Sequence, residues 1–103
     1  MTQSIRLRAR EKDGVVTVKS LINHPMETGL RRDRKTGRKV LARYIKEVIA
    51  QTGDKIVMQA YWGSAISRNP YLSFKYYGNK GDSLTLSWID SIGKSDSVTA
   101  WVK

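Results

Sequence analysis

The chain has 103 residues, no cysteine, one histidine and a formal charge of +10. That length makes one domain, residues 1–103, with a single core, and the missing cysteine excludes disulfides, thiolate catalysis and cysteine-ligated zinc or iron–sulfur sites. No apolar run approaches the ~20 residues of a membrane helix. Met1-Thr2-Gln3-Ser4-Ile5-Arg6 has no apolar stretch after its charges, so no signal peptide is visible and the residues alone point to the cytoplasm.

In chain order, Ile5, Leu7 and Ala9 alternate with Arg6, Arg8 and Arg10. Period two predicts a strand with one buried and one charged face. The Asp13-Gly14 step turns the chain into a β-branched strand over Val15–Ile22, making a hairpin. Pro25 lacks an N–H and disfavours helix at His24, so that strand ends there. Asn23 to Lys39 reads as a long loop hinged at Gly29 and Gly37, and loops beyond ~12 residues in a compact domain are functional or disordered. Leu30 to Lys46 holds eight Lys or Arg against one acid, Asp33. It carries +7 of the +10, leaving +3 elsewhere, and such concentration favours an anionic partner.

Residues 40–50 fit two templates. Val40, Leu41, Tyr44, Ile45, Val48 and Ile49 fall at helical spacing, while Tyr44, Val48 and Ala50 alternate with Ile45, Glu47 and Ile49. The tight turn at Gln51–Asp54 and the alternation of Ile56, Met58, Ala60 and Trp62 favour a hairpin of strands at 42–50 and 55–62. Gly63 to Pro70 is irregular. Tyr71–Tyr77 is a strand with Leu72, Phe74 and Tyr76 on one face. Leu84, Leu86 and Trp88 point inward from a sixth strand, and Ser97–Val102 forms a seventh with Trp101 on the opposite face. Seven short strands with glycine at most turns predict an all-β, immunoglobulin-like antiparallel sandwich of one domain. Apolar groups on both faces of a sheet imply that something covers the second face, most simply a partner subunit, or else the second sheet if it is wide enough.

His24 is a candidate metal ligand or base, yet one histidine without cysteine makes no usual transition-metal site, and a histidine bonded to loop backbone is favoured. Glu27 and Asp33 lie among arginines, which favours ionised carboxylates in salt bridges over a catalytic pair. The basic run has only Tyr44 for stacking and no recognition helix, which weakens a nucleic-acid reading.

Ile5-Arg6-Leu7-Arg8-Ala9-Arg10, His24-Pro25-Met26-Glu27-Thr28-Gly29, Asn69-Pro70-Tyr71-Leu72-Ser73-Phe74, Gly81-Asp82 and Leu86-Ser87-Trp88 occur in order over nearly the whole chain. In these stretches the sequence resembles the SoxZ family, the Z subunit of the SoxYZ carrier of bacterial thiosulfate oxidation. The resemblance implies a β-sandwich that forms a heterodimer with a Y subunit, whose cysteine on a mobile glycine-rich arm carries the sulfur intermediates. It implies a non-catalytic subunit without cofactor or metal, presenting that arm to the Sox enzymes that load and unload it. It also implies a periplasmic location, by co-export with the Y subunit, which reverses the cytoplasmic reading. The docking residues expected are His24, Pro25, Met26, Glu27, Thr28, Gly29, Arg31, Arg32, Asp33, Asn69, Pro70 and Tyr71. Alanine at His24, Glu27 or Arg31 is expected to leave the fold largely intact. A basic β-domain that binds nucleic acid is the alternative function, and the sequence leaves room for self-association of the isolated chain.

Overall fold

The computed structural model describes residues 4–103, so Met1, Thr2 and Gln3 of the stretch read for a signal peptide lie outside the described residues. The strands are β1 (Ile5–Lys12), β2 (Val15–Ile22), β3 (Ile45–Thr52), β4 (Lys55–Tyr61), β5 (Tyr71–Tyr77), β6 (Ser83–Asp90) and β7 (Ser95–Trp101). They build two antiparallel sheets, β1-β2-β5 and β4-β3-β6-β7. The expected immunoglobulin-like sandwich is the fold. Asp13 and Gly14 both take positive φ, 53° and 80°, which is the two-residue turn whose twist matches an antiparallel hairpin.

The ambiguous stretch is strand from Ile45, three residues later than the sequence pattern predicts, and β4 ends at Tyr61. Its helix-like spacing has a physical cause. Ile45 pairs with Asp90 but Glu47 pairs with Ile89, so Lys46 is an extra residue in the ladder. Such a bulge inverts the side-chain alternation. Ile45 and Val48, three apart, therefore both face the core at 0% exposure. Val40 and Leu41 are not part of the pattern, and Leu41 is exposed.

Val16, Val18 and Ile22 from β2 pack against Val48 of β3 and Leu84 and Leu86 of β6, all fully buried. Each such side chain contributes about 1.5–3 kcal/mol on leaving water. The two sheets are unequal. In β4 and β5 the inward residues Met58, Ala60, Leu72 and Phe74 are only half-buried, and among the described residues β5 bonds to β2 alone, leaving its other edge free. That side of the sandwich is one strand short.

Between β2 and β3 the chain leaves the sandwich as a two-legged arm. Glu27 and Arg43 exchange backbone hydrogen bonds, Val40 N–H donates to Arg31 C=O, and Asp33 N–H donates to Arg38 C=O. The long loop of the sequence reading is thus an irregular ribbon closed by a turn at Asp33–Gly37. The molecule measures 53 × 22 × 21 Å. An eight-residue strand spans roughly 27 Å, and the arm accounts for much of the remainder.

Candidate functional site: the base of the basic arm

Two loops meet where the arm leaves the sandwich. His24 N–H donates to Asn69 Oδ1 and Asn69 N–H donates to His24 C=O, both at 3.0 Å. Asn69 takes φ 52° to do so, a conformation that asparagine tolerates better than most side chains. Pro70 is buried, its carbonyl accepting from Ile22 N–H, and Tyr71 opens β5 with its ring exposed. The two stretches singled out in the sequence therefore form one structural unit.

His24 is 1% exposed and lies edge-on to Trp88, with ring centroids 5.1 Å apart. Nδ1 accepts from Met26 N–H at 3.0 Å, so the ring proton sits on Nε2, which donates to Asp90 Oδ2 at 3.1 Å. Both ring nitrogens are engaged, and the ring serves as a strut between Met26 and Asp90. Met26 adopts φ 48°, and its buried sulfur accepts from Ile45 N–H at 3.4 Å. These contacts fix the arm's first leg.

The second leg is fixed by the same carboxylate. Arg43 Nε donates to Asp90 Oδ2 at 3.1 Å. Asp90 Oδ1 accepts from Ile92 and Lys94 N–H, capping the β6–β7 turn. Asp90 is 0% exposed. Burial pushes its carboxyl up, but the hydrogen bonds from His24, Arg43, Lys94 and Ile92 together outweigh that and hold it below its ordinary value. One carboxylate thus joins both legs of the arm to the sandwich. Neither Asp90 nor Arg43 stands out in the sequence as a partner of His24. Asp90 carries a turn signal before Ser91-Ile92-Gly93, but nothing local reports a contact 66 residues away.

Further out, Arg31 Nε donates to both oxygens of Glu27 at 3.0 Å, the salt bridge expected for that carboxylate. Asp33 differs: its Oδ1 accepts from Lys35 and Thr36 N–H and shapes the turn. Those bonds, with the nearby Arg31 charge, hold its carboxyl below the ordinary value. Arg32 Nη1 donates to Gly37 C=O, and Thr28 Oγ1 accepts from Leu30 N–H. Gly29 takes φ 89°, and a Cβ there would stand 3.2 Å from the Ala42 Cβ of the opposite leg. His24, Met26 and Pro70 are buried, while Pro25, Thr28, Arg31 and Arg32 are exposed. The exposed surface of the arm is cationic, with Arg31, Arg32, Arg34, Lys35, Arg38 and Lys39 all solvent-facing.

Fold and site together define a small β-sandwich with an anchored cationic arm and an open sheet edge. The family model described as "Sulphur oxidation protein SoxZ" matches residues 5–100. The chain belongs to the SoxZ family, and is a sulfur-oxidation protein of that kind. No curated protein matches it.

Proposed function

We propose that this chain is the non-catalytic subunit of a heterodimeric sulfur carrier, acting in the periplasm beside a Y subunit that bears the carrier cysteine. The observation that carries this reading is the open side of the sandwich. Among the described residues β5 presents a free edge, and Met58 of β4 and Leu72 and Phe74 of β5 itself are only half-buried. Exposed, apolar sheet edges are liabilities unless paired or covered, and strand addition at such an edge is a recurrent mode of association. The Y subunit supplies the cover. This chain has no thiol of its own, in keeping with a subunit that positions a carrier and does not load it. The arm then offers a cationic rim to the enzymes that load and unload the carrier. Charges at a rim chiefly steer association.

Co-expression with a Y-type subunit tests the pairing. A 1:1 complex that persists at about micromolar concentration is expected, because a stable interface exceeds ~1,000 Å². Separate monomers at that concentration refute it. Hydrogen exchange tests the seat: β5 amides gain protection in the complex, and pairing without that gain moves the interface elsewhere.

A further inference from the structure

The outer face of the β1-β2-β5 sheet is a second cationic surface, of which the sequence shows only the β1 row. Outside residues 30–46 the charge sums to only +3. The fold separates its signs. Arg6, Arg8, Arg10 and Lys12 alternate along β1, Lys19 stands opposite Arg8 on β2, and Lys75 lies opposite Thr17 on β5. All six are exposed, and no carboxylate shares their face. Among the described residues none of the six is in a salt bridge. Arg8 and Lys19 face one another directly across a strand pair, which is unfavourable for like charges. The field of this face is therefore uncompensated by the chain itself.

A depression of about 840 Å³ runs along β1 beside this face. Arg8, Arg10, Lys12, Lys19 and Lys103 supply its charge, and Trp101, 67% exposed, supplies an apolar wall. We propose that this groove docks an extended acidic segment of another protein, carboxylates on alternate residues meeting the β1 cations and an apolar side chain resting on Trp101. The period carries the argument. Side chains two apart on a strand are ~6.6 Å apart, so a second extended chain repeats its side chains in step with Arg6, Arg8, Arg10 and Lys12. Binders of single-stranded nucleic acid instead stack successive bases on grouped aromatics. Here Trp101 is, among the described residues, the one aromatic lining the groove, and Tyr71 and Tyr77 lie across the sheet on β5. The inference goes beyond the carrier reading and does not depend on it.

The test uses the full chain alone. It is titrated calorimetrically with a synthetic peptide carrying Glu at alternate positions, and in parallel with polyuridylate, phosphatidylglycerol vesicles and sodium sulfate. The peptide is expected to bind at low ionic strength and to shift the β1 and Trp101 amide resonances. Arg8→Glu/Arg10→Glu is expected to weaken it at least ~10-fold, as reversed charges at a complementary surface do. The neutral pair Arg8→Gln/Arg10→Gln, with a thermal melt, separates lost binding from lost folding. Arg34→Glu/Lys35→Glu on the arm is expected to leave affinity within ~2-fold. The proposal is overturned by no peptide binding, by resonance shifts confined to the arm, or by tighter binding of polyuridylate, vesicles or sulfate. These outcomes leave the Y-subunit pairing untouched, since no partner is in the assay.

Discussion

Replacing Asp90 with alanine probes the anchor of the arm. The carboxylate accepts four hydrogen bonds, from His24, Arg43, Ile92 and Lys94. Its loss strands the His24 Nε2–H where water does not reach, at about 1–3 kcal/mol. Arg43 is 36% exposed and turns to solvent, so its pair counts for about 1 kcal/mol or less. The two turn amides lose their acceptor at about 0.5–1 kcal/mol each. The total is about 2–6 kcal/mol, a range that brackets the usual cost of breaking a buried charge pair. At about 4–5 °C per kcal/mol for a domain of this size, the melting temperature falls by about 8–30 °C. His24→Ala follows at about 2–3 kcal/mol, because it opens a cavity beside Trp88 while Asp90 keeps three donors. Arg43→Ala costs about 1 kcal/mol. Melts of the three variants check the ranking. A drop below about 4 °C for Asp90→Ala, or a larger one for Arg43→Ala, refutes the view of Asp90 as the shared anchor. The burial of His24 argues against the sequence-based expectation that its alanine variant keeps the fold largely intact.

Acid should expose the same anchor. Asp90 is held below 3.8, and so is Asp96 by hydrogen bonds from Ser4 Oγ and N–H. Depressed carboxyls add stability above their unfolded values that is lost as pH falls through the folded ones, so melts should agree from about pH 5 to 7 and fall below about pH 4; Asp90→Asn should flatten that fall, and an unchanged acid slope would count against it. Gly29→Ala puts a side chain at φ 89° against Ala42 and should cost about 1–2 kcal/mol in a melt, with an unchanged midpoint showing that the legs part freely. Arg31→Ala/Arg32→Ala should pair normally with a Y subunit yet slow thiosulfate-dependent cytochrome reduction most at low ionic strength, and equal rates at every salt concentration would remove the docking role of the arm.

The sandwich was legible because period-two patterns in β1, β5 and β6 are local. Ile5, Leu7 and Ala9 face in, and Leu84, Leu86 and Trp88 do likewise. The start of β3 was not, because a bulge at Lys46 borrows the spacing of a helix. The motif residues His24 and Asn69 were visible, but their clasp is a matter of topology, as is the reach of His24 to Asp90. Charge was legible in part for the same reason. The sequence shows the arm and the charged face of β1, whereas Lys19 and Lys75 join that face only once β1, β2 and β5 lie side by side.

The arm also changes how the molecule moves through solvent. Its radius of gyration is 15.6 Å, against about 13 Å for a compact domain of 100 residues. A rod-like outline raises friction without adding mass. In gel filtration a lone chain therefore runs ahead of its molecular weight, in the direction of a dimer, and the shift on pairing is compressed. Stoichiometry at the open edge should be weighed by light scattering or sedimentation equilibrium, which read mass and ignore shape.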